Sequence, residues 1–164
     1  MTSKRTGTPW MSADEYGRSL RGLSVNLLVT SVPQSTHFAE SVLGASIIYS
    51  DIDFAVVRAS GTEWMLHADH TYDDHPMAGV VADLPARGCG LEIRLHDCDP
   101  DQACARAREH GYDVLDDAMD KPHGVREAFI IAPDGYIWVP DMPCLLYTSP
   151  SPRDLSTSRM PSSA

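Results

Sequence analysis

From Leu23 to Val29 the chain alternates. Val25, Leu27 and Val29 share one face, and Ser24, Asn26 and Leu28 share the other, which is the period of a half-buried strand. Ser31 then precedes Val32 and Pro33, a helix N-terminus with proline in the first turn, and Phe38, Val42 and Leu43 follow at helical spacing up to Gly44. Gly22 to Gly44 therefore predicts a strand, a tight turn and a helix. The pattern returns after Gly90: Leu91, Ile93 and Leu95 alternate with Glu92, Arg94 and His96, Asp99-Pro100 opens a second helix, and Gly111 ends it.

Short runs rich in β-branched and aromatic residues follow each helix. In the first half they are Ser46 to Tyr49, Phe54 to Val57 and Glu63 to His67, separated by the turns SDID and ASG. In the second half they are Tyr112 to Leu115, Arg126 to Ile131 and Tyr136 to Val139, broken by a loop through Pro122 and Gly124 and by the turn Ala132-Pro133-Asp134-Gly135. The expected fold is α+β: two βαβββ modules, residues 22–68 and 89–143, in one domain spanning 22–143. A linker containing Pro76, Gly79, Pro85 and Gly88 joins them. Residues 1–21 read as a polar lead with one short helix, since Ser12 and Glu15 have the spacing of a capping box.

Alternation also assigns the chemistry. If Val25, Leu27, Leu91, Ile93 and Leu95 pack beneath the helices, Ser24, Asn26, Glu92, Arg94 and His96 lie on the opposite face, and Glu63, Met65 and His67 join them while Trp64 and Leu66 turn inward. Asn26, Glu63, His67, Glu92, Arg94 and His96 are thus the candidate ligand-binding residues. Glu92 and His67 are the candidates for moving a proton. The competing reading is that these groups pair with one another, Glu92 with Arg94 included. Trp138 matches Trp64 across the repeat, which suggests packing.

Two further stretches carry candidate chemistry. His67 to Pro76, HADHTYDDHP, holds three His and three Asp without the spacing of a strong metal motif. The favoured reading sets Trp64, His67, His70 and Tyr72 at the mouth of a cavity or at a dimer contact. Lys121-Pro122-His123-Gly124 is a candidate loop over that cavity.

Charge and composition narrow the partners. A formal charge of -10 argues against nucleic acid and anionic membranes, which require a basic face. No apolar run approaches the length of a membrane span and no signal-peptide pattern is visible, so a cytoplasmic protein is expected. Cys89, Cys98, Cys104 and Cys144 lack a disulfide or C-x-x-C pattern and read as small buried hydrophobes. From Cys144 to Ala164 the composition shifts to Ser and Pro. CLLYTSPSPRD and SRMPSSA resemble translated sequencing adapter, so residues 144–164 are excluded from the fold, and the native C-terminus is expected at or just after Pro143.

The paired modules, the helix ending FAESVLG and the late REAFIIAPDGYIWVP resemble the vicinal oxygen chelate superfamily of glyoxalases, bleomycin-resistance proteins and extradiol dioxygenases. The resemblance covers Leu23 to Pro143 and implies an incompletely closed eight-stranded cup, often completed in a homodimer. Metal-dependent members place ligands on the first and last strands of each module. Matching the VLG and PDG motifs puts those positions at Ser24, Met65, Gly90 and Val139, a set with no usual metal ligand. The nearer likeness is then to the metal-free, bleomycin-resistance-type binding proteins, with no cofactor. A two-residue shift selects Asn26, His67, Glu92 and Asp141 instead, and with it the alternative of a divalent-metal lyase, isomerase or dioxygenase.

Overall fold

The structure, a computed structural model, describes residues 8–144, so the adapter-like tail beyond Cys144 and the first seven residues lie outside it. The element order is α1 (Ala13–Ser19), β1 (Val25–Val29), α2 (Val32–Ser41), β2 (Ser46–Ser50), β3 (Phe54–Ala59), β4 (Thr62–Ala68), a 3-10 turn (Asp69–Tyr72) and α3 (Ala78–Val81). The second half continues with β5 (Glu92–His96), α4 (Pro100–Glu109), β6 (Val114–Asp120), β7 (Val125–Ile131), a second 3-10 turn (Pro133–Gly135) and β8 (Ile137–Pro143).

Helices α1, α2 and α4 each begin at a side-chain cap. The Ser12 hydroxyl accepts from the Glu15 amide at 3.2 Å while the Glu15 carboxylate accepts from the Ser12 amide at 3.1 Å, closing the capping box. Ser31 accepts from the Gln34 amide, and Asp99 from the amides of Asp101 and Gln102, with Pro33 and Pro100 in the first turns.

The strands form two separate four-stranded sheets, ordered β1-β4-β3-β2 (sheet A) and β5-β8-β7-β6 (sheet B). Neither closes into a barrel. In sheet A, β1 runs parallel to β4 with Val25 opposite Trp64, Asn26 opposite Met65 and Leu28 opposite His67. In sheet B, β5 runs parallel to β8 with Ile93 opposite Trp138, Arg94 opposite Val139 and His96 opposite Asp141. The two registers superpose tryptophan on tryptophan.

One shared core holds the modules together. Leu27, Val29, Val57, Trp64 and Leu66 from sheet A meet Leu95, Ala128, Ile130 and Trp138 from sheet B, together with Phe38 and Val42 near α2 and Ala103 and Ala107 of α4. The Trp64 and Trp138 rings lie 4.8 Å apart, and Phe38 meets Tyr112 edge-on at 5.0 Å. Arg106 of α4 reaches across to the Val42 carbonyl at 3.0 Å. Both helices lie on this core side. The opposite face of each sheet therefore carries the alternate, polar residues.

Several expectations change. Leu91 does not pack beneath a helix: it precedes β5, follows Gly90 at φ 78°, and is 47% exposed. Leu23 likewise precedes β1 and is exposed, whereas Leu28 on the polar side is buried. The strand expected at Tyr112 to Leu115 runs to Asp120 through two register shifts, and the last strand runs on past Val139 to Pro143. The linker forms the first 3-10 turn and α3. Cys98 and Cys104 are buried as expected, but Cys89 is exposed and Cys144 half-buried.

Candidate functional site

The polar face of sheet A is a hydrogen-bonded relay. Asn26 on β1 and His67 on β4 are diagonal neighbours on one face of the parallel pair, and His67 Nδ1 lies 2.6 Å from Asn26 Oδ1. The Asn26 amide in turn donates to the Tyr72 hydroxyl at 2.9 Å. With Oδ1 as the acceptor, His67 carries its proton on Nδ1 and keeps a lone pair on Nε2. Burial lowers the His67 pKa, so the ring is neutral at pH 7.

The segment HADHTYDDHP builds one wall of this site. Its 3-10 turn sends Tyr72 to Asn26, His70 Nε2 to Asp53 Oδ1 at 2.8 Å, and Asp69 to a two-point contact with Arg87 at 2.6 and 2.8 Å. His67, His70 and Tyr72 are thus gathered on the polar side. Trp64, expected with them, is instead 4% exposed in the core, because it points to the other face of β4.

A roof covers this face. Residues from Pro9 to Leu20, Trp10, Tyr16 and Leu20 among them, line an open cavity of about 380 Å³ together with Phe54, Met65 and His67. Trp10 stacks on Tyr49 at 4.6 Å, and Tyr16 meets Phe54 edge-on at 5.9 Å. Glu63 stands apart from His67: it takes the Arg58 guanidinium at 2.8 Å and lines a second, more polar cavity of about 400 Å³ on the other side of α1.

The polar face of sheet B is charged instead. Arg94 contacts Glu127, Asp141 at 3.2 Å and Glu92 at 3.2 Å. His96 Nδ1 is 2.7 Å from Asp141, and His123 Nε2 is 3.6 Å from Glu127. Glu127 and Asp141 are 5% and 2% exposed, so two carboxylates are buried beneath one guanidinium. Their hydrogen bonds and charges, Glu127 foremost, hold Arg94 firmly in its charged form. The Lys121–Gly124 loop borders this cluster through His123. The six sequence candidates therefore divide: Asn26 and His67 meet on sheet A, Glu63 lies at its rim, and Glu92, Arg94 and His96 meet on sheet B. Glu127 was not anticipated, although its neighbour-but-one spacing from Phe129 on β7 puts both on the same face.

The registers also test the metal positions. Trp64 and Trp138 correspond, so Ser24 corresponds to Glu92 and Asn26 to Arg94. Gly90 lies two residues before its assigned place, and both it and Ser24 precede their strands. The shifted set fares no better as a chelating quartet. Asn26 and His67 are bonded to each other, while Glu92 and Asp141 are bonded to Arg94, whose guanidinium stands where a cation would be needed. Among the described residues no three His, Cys, Asp or Glu side chains converge as a metal site. The residues present do not fit the divalent ion of the metal-dependent superfamily members.

Two βαβββ modules, each with a polar sheet face turned from a common core, define the α+β class of this protein. Solved structures share the fold. A glyoxalase/bleomycin resistance protein/dioxygenase from Nocardioides is 19% identical over 80% of this chain and 93% of its own, with a TM-score of 0.58. A family enzyme from Burkholderia phytofirmans PsJN is 12% identical over 73% and 95%, with a TM-score of 0.61. A glyoxalase-related enzyme from Fulvimarina pelagi is 15% identical over 74% and 87%, with a TM-score of 0.59. The chain has the vicinal oxygen chelate fold. No protein-family profile and no curated protein matches it.

Proposed function

We propose that this chain is a small-molecule binding protein of the glyoxalase/bleomycin-resistance type, working without the superfamily metal. The observation that carries the proposal is the cavity of about 380 Å³ walled by Trp10, Tyr16, Phe54 and Met65 and closed at one side by His67. Its size falls in the range of small-ligand sites, and it pairs apolar walls with a few polar groups, the usual composition of such sites. His67 offers its Nε2 lone pair to a donor on the ligand, and Asn26 and Tyr72 fix the ring that offers it. Glu92, Arg94 and His96 supply a second polar surface on sheet B, and a homodimer in the cytoplasm is the expected form.

Metal analysis of protein purified without chelator tests the metal-free part. Less than about a tenth of an ion per chain is expected, and no change on Glu92→Ala; a stoichiometric ion lost in that variant would overturn it. Quenching of Trp10 fluorescence across a small-molecule panel tests the binding part, with loss of the response in Trp10→Leu. A second reading has one observation in its favour. A neutral imidazole with an oriented lone pair is also a general base, so a ligand consumed with a rate that falls on His67→Gln would make the protein an enzyme.

A further inference from the structure

We propose that the cavity between the N-terminal segment and sheet A takes a planar aromatic molecule that donates a hydrogen bond from a ring N–H or O–H group to Nε2 of His67. The proposal rests on the ligand-binding reading above and names the class of ligand. The direction of that hydrogen bond is fixed from behind the imidazole. His67 Nδ1 lies 2.6 Å from Asn26 Oδ1, and the other end of the same amide is committed to the Tyr72 hydroxyl at 2.9 Å. An amide oxygen only accepts, so the imidazole proton sits on Nδ1, and Nε2, on the opposite side of the ring, carries a lone pair. Burial lowers the His67 pKa, so no second proton reverses this near neutral pH. A ligand that meets Nε2 with a donor completes the chain of bonds. One that meets it with an oxygen acceptor sets two lone pairs against each other and leaves Nε2 unsatisfied.

The other polar side chains of the lining do not select in this way. Asp53 is taken by His70 Nε2 at 2.8 Å, and Thr71 donates its hydroxyl to the Ala68 carbonyl at 2.7 Å. Tyr16 brings a hydroxyl, which gives or accepts equally well. What surrounds His67 is otherwise largely apolar and ringed: Trp10, Tyr16 and Phe54, with Met65 and Leu20 beside them. Trp10 and Phe54 lie 19° from parallel with centres 6.5 Å apart, Tyr16 meets Phe54 edge-on at 5.9 Å, and the Phe54 ring is 4.6 Å from the His67 imidazole. Walls at these tilts offer both the stacked and the edge-on contacts that a planar ring makes. One flat body therefore satisfies the rings and the imidazole together.

Isothermal titration of the full chain with indole and its isostere benzofuran tests this, since the two differ only in a ring N–H against a ring oxygen. Indole should bind about tenfold tighter. Asn26→Asp should abolish that preference, because a carboxylate facing Nδ1 favours the doubly protonated imidazole and turns Nε2 into a donor. Lost packing alone would weaken both probes and leave their ratio unchanged. Trp10→Leu should weaken both by a similar factor. The comparison on the parent protein stands whether or not either variant folds. Benzofuran binding as tightly as indole, or a ratio unchanged in Asn26→Asp, would overturn the donor while leaving the ligand-binding reading intact. Affinities unchanged in Trp10→Leu would overturn the aromatic walls. Binding of neither probe would overturn the ligand class, and the ligand-binding reading falls with it only if the small-molecule panel gives no response either.

Discussion

Replacing Arg94 with methionine should destabilise the protein by taking the guanidinium from two buried carboxylates, Glu127 and Asp141, and leaving only the imidazoles of His123 and His96 beside them. Methionine keeps much of the apolar stem, so the change isolates the charge. Both carboxylates are nearly inaccessible, at 5% and 2% exposure, and both rest on the one guanidinium. Breaking a buried ion pair from one side costs about 3–5 kcal/mol. Water screens part of this here, because the Arg94 side chain is 31% exposed, which places the expected loss near the lower end, about 2–3 kcal/mol. For a domain of this size that is a fall in Tm of about 6–10 °C. Adding Glu127→Gln to the methionine variant should recover part of the loss. Thermal unfolding near neutral pH reads both. A variant as stable as the parent, or a double variant no more stable than the single one, would refute the electrostatic account.

The remaining expectations concern the other face and the joints between modules. Because burial lowers the His67 pKa from the ordinary 6.5, the unfolded chain binds a proton that the fold refuses; stability is therefore complete above about pH 6.5 and declines as pH falls towards the folded value. Urea unfolding of the parent and of His67→Gln between about pH 7.5 and 5 should show that decline reduced in the variant. Tyr16→Phe should be neutral or stabilising by up to about 2 kcal/mol, since the Tyr16 hydroxyl is buried without a hydrogen-bond partner among the described residues; a clear loss in Tm would contradict it. Gly135→Ala should cost more than about 2 kcal/mol: its φ is 75° and an added Cβ would lie 2.6 Å from the Ala86 backbone, so normal stability in denaturant titration would show that the linker does not pack there.

What was readable in the chain was periodicity, and what was hidden depended on contacts between distant segments. Strand alternation fixed which of Trp64 and Met65, or Ile93 and Arg94, faced the core, because a period of two leaves no third choice. It failed at Leu91, where the positive φ of Gly90 turns the chain before β5 begins. The capping box located α1 but not its seat. Trp10 precedes the helix with no periodic partner, and its contact with Tyr49 is a tertiary one. Buried Glu127 was equally hidden, since a carboxylate is ordinarily read as exposed until a partner such as Arg94, on another strand, is brought to it.

The two halves of the repeat differ most in charge on the sides turned from the core, and the packing explains why. Trp64 and Trp138 occupy equivalent places and meet in a shared core, so a change in either must be accommodated by both modules. Their neighbours on the outer faces have no such common partner. Asn26 and Arg94 are equivalent in register, as are His67 and Asp141, yet Asn26 and His67 sit in a neutral, roofed relay, and Arg94 and Asp141 in a charged network whose Arg94, His96 and Glu92 reach the surface. Duplication supplied two copies of one scaffold. The faces turned from the core were left free to acquire different chemistry, which is why the ligand-binding reading attaches to one module and the electrostatic stability argument to the other.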